Sequence, residues 1–188
     1  MVFESCSMDS MQKIIYTIGH STRTLAEFIG LLETFSIEVV ADVRSYPGSR
    51  RYPQFNKENL SEELHLRQVL YLHLPGLGGR RKPSPQSKNT AWKNDAFRGY
   101  ADYMETVEFK EGIAELEETG TRYRTAFMCS EAVGWRCHRS MMADYLKVNG
   151  WKVMHILNNK KAEEHPYTAV ARIVDGNLYY SATQQSLF

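Results

Sequence analysis

The 188-residue chain carries 23 Lys and Arg against 22 Asp and Glu, a formal charge of +1, with 43% hydrophobic and 12% aromatic residues. That length accommodates one domain with a substantial core, and the composition excludes collagenous, coiled-coil and disordered classes. No apolar run approaches the ~18 residues of a membrane span, so no membrane association is expected.

Residues 1–12 include Glu4, Cys6 and Asp9 without a hydrophobic segment, so they read as a flexible leader rather than a secretory signal, ahead of a single domain over 13–188. Three cysteines, an odd number without small-domain spacing, predict reduced thiols and a cytoplasmic location. Near-neutrality conceals an asymmetry: residues 44–98 hold eleven Lys/Arg against four Asp/Glu, and the remainder is net acidic. A basic block of this kind suits an anionic partner or a solvated surface.

In chain order, the β-branched run over residues 14–18 predicts a first strand, followed by Gly19-His20-Ser21. Thr24 with Glu27 three residues on forms a capping box for a helix whose apolar positions are Leu25, Phe28, Ile29, Leu32 and Phe35. Residues 37–41 give a second strand ending on Asp42-Val43-Arg44. Pro47-Gly48 and Pro53 then require a loop, and Asn56 can cap a helix to about Gln68. A third strand over 69–74 is broken by Pro75-Gly76-Leu77-Gly78-Gly79. Residues 80–94 form a long irregular excursion, expected to be the loosest part of the domain. Residues 97–118 have helical spacing with a break near Thr106, and Gly120 is expected to end the helix. A fourth strand over 122–128 leads through a short loop into a helix reaching Asn149-Gly150. A fifth strand covers 151–157. The tail, with Asp175-Gly176 between two short strand-like runs, predicts a β-hairpin.

Strands alternating with helices predict an α/β fold: a mostly parallel five-stranded sheet with helices on both faces and a C-terminal hairpin. In such a sheet the polar residues that follow each strand meet at one rim, where ligands bind outside the strand C-termini. His20 and Ser21, Asp42 and Arg44, His73, and Cys129 and Glu131 all occupy that position.

Thr17-Ile-Gly-His-Ser21, Asp42-Val-Arg44 with Pro47 and Ser49, Leu77-Gly-Gly79, Cys129-Ser-Glu131, Cys137-His-Arg139 and His165-Pro-Tyr-Thr168 together resemble the DUF488 family. The resemblance spans about residues 14–180, with the extra leader as the departure. It implies an α/β fold with a shared polar site at these motifs and names no reaction.

Among the individual groups, Cys129 sits between a strand and a helix start, where free N–H groups and Arg136 or Arg139 favour a thiolate nucleophile. The alternative is a buried core thiol. Glu131 reads either as an acid–base group or as half of an ion pair with Arg44 or Arg139. Asp42 invites the same two readings, and His20 is a candidate proton shuttle. Ser21, Arg44, Tyr46, Arg80, Arg81, Arg136, His138 and Arg139 are candidate substrate or phosphate contacts, with arginine forks and helix starts suited to phosphate and aromatic rings suited to a base. A metal site from Cys129, Cys137, His138 and His20 is conceivable, but no metal ligands are expected, because no Cys-x-x-Cys or His-x-x-x-His spacing occurs and Cys137 and His138 would point to different sides of a helix.

The pattern points to an enzyme acting on a phosphate-bearing substrate, a nucleotide or nucleic acid. A non-catalytic nucleic-acid-binding module and a thiol-dependent sulfur-transfer protein remain as alternatives. The residues specify neither a cofactor nor an oligomeric state.

Overall fold

Strands form from short, mostly apolar runs, the central ones buried from both sides. β1 (Ile14–Gly19), β2 (Val39–Asp42), β3 (Leu70–His73), β4 (Thr125–Cys129) and β5 (Lys152–Asn158) pair in parallel in the order β3-β2-β4-β1-β5. The computed structural model describes residues 12–182, so the expected leader falls almost wholly outside the described residues. Every residue of β2 and β4 is buried, as parallel strands covered on both faces require.

Alternate side chains enter two separate cores. Tyr16, Ile18, Val40, Ala126 and Met128 pack against α1 (Leu25–Thr34) and α2 (Lys57–His65). Ile15, Ala41 and Phe127 pack against α3 (Asp95–Tyr103), α4 (Val107–Arg122) and α5 (Arg139–Val148). Fully burying a side chain such as Phe127 stabilises the fold by about 1.5–3 kcal/mol. Local chemistry fixes the helix starts. Thr24 Oγ1 accepts from Glu27 N at 3.2 Å while Thr24 N donates to Glu27 Oε2 at 2.7 Å, and Thr106 caps α4. The predicted break near Thr106 is therefore a new helix start. Gly120 does not end α4, which continues to Arg122.

The sheet has a sixth strand that the chain's apolar pattern does not announce. β6 (Lys161–Glu164) runs antiparallel on the outside of β5. Its Lys and Glu side chains suit an edge exposed to water. β7 (Arg172–Val174) and β8 (Asn177–Tyr179) form the predicted hairpin as a separate two-stranded sheet, with Asp175 and Gly176 both at positive φ in the turn. The irregular stretch over residues 80–94 is joined to α3 at three residues. Asp102 accepts from Ser84 N at 2.8 Å, Ser87 Oγ at 2.6 Å and Asn89 Nδ2 at 2.9 Å.

Strand order places the site. The connection from β1 crosses one face toward β2, whereas that from β4 crosses the other face toward β5. Adjacent strands whose connections leave in opposite directions open a crevice at their carboxyl ends.

Candidate active site

The crevice is a cleft of about 620 Å³ above the ends of β1, β2 and β4. Register makes these ends flush: Gly19 pairs with Cys129, and Asp42 with Met128. Backbone bonds carry the pairing past the strands, from His20 N to the Cys129 carbonyl and from Ser21 N to the Ser130 carbonyl. Gly19 is required by space, because a Cβ there would lie 1.7 Å from the Glu131 carbonyl oxygen. Two non-glycine residues on the cleft wall, Ser21 and Arg80, hold positive φ angles of 44° and 64°. Such conformations cost free energy and persist where surrounding structure enforces them.

Asp42 and Arg44 form the electrostatic base of the cleft. Asp42 is fully buried and accepts from Arg44 Nε at 2.8 Å, Arg44 Nη2 at 2.5 Å and Tyr71 Oη at 2.7 Å. Arg44 also donates to the Phe55 carbonyl at 2.8 Å and to His20 Nε2 at 3.3 Å. Burial works against the Arg44 charge, but the bonds and charge of Asp42 outweigh it and raise its pKa. A guanidinium only donates, so His20 Nε2 accepts and its proton sits on Nδ1, facing the Ser21 carbonyl at 3.2 Å. Burial, then the Arg44 charge, lower the His20 pKa to about 4. His20 stacks on Phe55 with centroids 4.3 Å apart. It is a neutral ring with both nitrogens engaged, and it positions Arg44.

The thiols form the opposite wall. Cys129 ends β4, and Cys137 and His138 lie between a short 3-10 turn (Gly134–Arg136) and α5. They precede the regular helix, so adjacent side chains converge: Cys137 Sγ lies 3.5 Å from His138 Nδ1. One ligand atom from each of Cys129, Cys137 and His138 falls within 4.8 Å of the others. The expectation that Cys137 and His138 diverge is thus overturned. The contact with Cys137, followed by burial, raises the Cys129 pKa well above its ordinary value. The same contact, aided by Arg139 against the cost of burial, lowers that of Cys137. The two thiols form one coupled pair, with the Arg139 charge favouring a thiolate on either sulfur. Sequence pattern alone had favoured Cys129, because the strand end was visible and the contact across the cleft was not.

Of the twelve residues nominated above, nine line the cleft: His20, Ser21 and Arg44, then Tyr46 and Arg80, then Cys129, Glu131, Arg136 and His138. Three do not. Asp42 is sealed beneath Arg44, which leaves it no access to a substrate. Arg139, 1% exposed, braces the loop by donating to Thr17 Oγ1 at 2.8 Å and to the Glu131 carbonyl. Arg81 folds back over the Tyr103 ring and donates to the Gly76 and Gly78 carbonyls. Glu131 is exposed and forms no ion pair among the described residues, so neither predicted arginine partner holds it. Cys137 and Tyr100 also line the cleft without having been nominated as catalytic or substrate-binding, although Cys137 lies inside a motif quoted above.

The family model described as a domain of unknown function, DUF488, matches residues 24–146, from the cap of α1 into α5. The chain belongs to the DUF488 family. No curated protein and no solved structure matches it. The DUF488 match includes Arg44, Arg80, Cys129, Glu131, Cys137 and His138, whereas His20 on β1's trailing loop lies just before it. No helix among the described residues is long and apolar enough to cross a membrane.

Proposed function

We propose that this DUF488 protein is an enzyme whose cleft takes a small phosphate-bearing substrate of nucleotide size. The observation that carries the reading is the charge of the walls, where Arg44, Arg80 and Arg136 stand against the single carboxylate of Glu131. Asp42 neutralises Arg44, but Arg80 and Arg136 are exposed and form no ion pair among the described residues. Unpaired guanidinium groups over a concave site are suited to bidentate phosphate binding. The volume falls within the roughly 300–1,000 Å³ of small-molecule sites, and Tyr46, Tyr52 and Phe97 supply aromatic surface for a base. Glu131 is the group we assign to accept or deliver a proton on the bound substrate.

Calorimetric titration with a nucleoside, its monophosphate, inorganic phosphate and a single-stranded oligonucleotide tests this. The nucleotide should bind and the nucleoside should bind at least about tenfold more weakly. Arg80→Ala and Arg136→Ala should each weaken the nucleotide about tenfold or more, the equivalent of a charge-assisted hydrogen bond. Equal binding of nucleoside and nucleotide, or no binding of any phosphate compound, would refute the reading. An oligonucleotide bound far more tightly, with a steep salt dependence, would instead indicate a polymer. Turnover followed by mass spectrometry should be lost in Glu131→Gln.

A further inference from the structure

We propose that Cys129, Cys137 and His138 form a binding site for a zinc-class divalent metal ion whose fourth coordination position opens into the cleft. This stands on ligand geometry and does not depend on which substrate the cleft takes. Tetrahedral zinc with Zn–S near 2.3 Å and Zn–N near 2.0–2.1 Å requires its ligand atoms to be about 3.5–3.8 Å apart. The Cys137 Sγ to His138 Nδ1 separation of 3.5 Å already meets this. All three ligand atoms lie within 4.8 Å of one another, so closure around an ion needs side-chain movements of about an ångström.

The donor set is selective. Two sulfurs and an imidazole suit zinc and its neighbours and reject magnesium and calcium, which take oxygen ligands. His138 Nδ1 has only the thiol contact, and the ring's other polar neighbour is the Val43 backbone. A metal bond would give this imidazole the strong partner it lacks. Space has been left for the ring, since a Cβ on Gly79 would come within 2.8 Å of His138 Nδ1.

The frame is rigid and its open side is defined. Cys129 is fixed by the β1–β4 register, and Arg139 ties the intervening loop to Thr17 and to the Glu131 carbonyl. All three residues line the cleft. Three protein ligands with a free fourth position are the arrangement of catalytic rather than structural zinc, so the vacant position would receive a water or a substrate oxygen.

The experiment uses the full chain, reduced and stripped with a chelator, then titrated with cobalt(II) and zinc(II). One cobalt per chain should bind, with a thiolate-to-metal charge-transfer band and the intense visible bands of tetrahedral cobalt, and zinc should displace it. Cys129→Ser and Cys137→Ser should each reduce the charge-transfer intensity and weaken binding by about tenfold or more, whereas Cys6→Ser should change neither. His138→Ala should weaken binding while keeping the charge-transfer band. If a variant fails to fold, the wild-type protein decides by alkylation mapping: zinc must protect Cys129 and Cys137. Absence of cobalt and zinc binding at micromolar concentrations, binding that survives the double cysteine variant, or thiols unprotected by zinc would each overturn the proposal. The phosphate titrations above would stand unaffected.

Discussion

Replacing Asp42 by alanine gives the sharpest test of how the cleft is held. The carboxylate is fully buried and accepts bonds from the Arg44 side chain, the Arg44 backbone N–H and the Tyr71 hydroxyl. Its removal leaves the Arg44 guanidinium, 8% exposed, beside a His20 ring that is neutral and cannot compensate it. Breaking a buried pair by deleting one partner costs about 3–5 kcal/mol, and the stranded Tyr71 hydroxyl adds on the order of 1 kcal/mol. Against a total stability of roughly 5–15 kcal/mol, that is a large fraction. Urea unfolding should show the midpoint falling steeply at an unchanged slope. The double variant Asp42→Ala/Arg44→Met should recover most of the loss, because an apolar replacement of the whole pair is close to neutral. A cost below about 1 kcal/mol, or a double variant as unstable as the sum of the two single variants, would refute this account of the network.

Three further outcomes are expected. Stability should decline as pH falls from 6.5 toward 4, since His20 and His155 have pKa values lowered to about 4 and the unfolded chain takes up protons first; the His20 share is on the order of 3 kcal/mol. Urea midpoints at pH 7 and pH 5, above the carboxylate range, check the sign, and greater stability at pH 5 would contradict it. Gly19→Ala should cost about 3 kcal/mol or more through its clash with the Glu131 carbonyl, whereas Gly30→Ala, mid-helix with nothing near the new Cβ, should stabilise by about 0.5–1 kcal/mol in the same thermal melts. Asp144→Asn should loosen the C-terminal hairpin, because that buried carboxylate accepts from His165, Thr168 and Tyr180; hydrogen exchange at residues 165–180 should rise while that of β1 and β4 stays slow.

The parallel strands were legible because burial on both faces leaves an apolar run with no alternation. Val39-Val40-Ala41 and Ala126-Phe127-Met128 could be little else. The helix start was equally plain at Thr24, where a cap is a local, three-residue interaction, whereas the same interaction at Thr106 read only as a break in one long helix. Lys161–Glu164 failed the same reading, since an edge strand needs only backbone partners and its charged side chains carry no apolar signature. The stretch over 80–94 looked loose for a related reason. Its bonds to α3 run to Asp102, more than a dozen residues away in the chain, and nothing in the Pro, Ser and Lys content of the stretch reports them.

The site divides along the same line between local and distant causes. That His20, Arg44, Cys129 and Glu131 share a rim follows from strand direction alone, so sequence order sufficed to bring them together. Which arginine faces outward does not follow from order. Arg44 trails a strand and Arg139 opens a helix, yet one lines the cleft and the other braces Thr17. The thiols make the point most strongly. Cys129 and Cys137 are eight residues apart with no recognisable spacing, and adjacent residues such as Cys137 and His138 diverge on any regular helix. Here the chain leaves β4 through a loop and a 3-10 turn before α5 begins, and that irregular backbone aims both side chains back at the strand end they left. A ligand set assembled in this way has no sequence period at all. Its spacing is fixed by the length of one loop and by the guanidinium of Arg139 that ties the loop down.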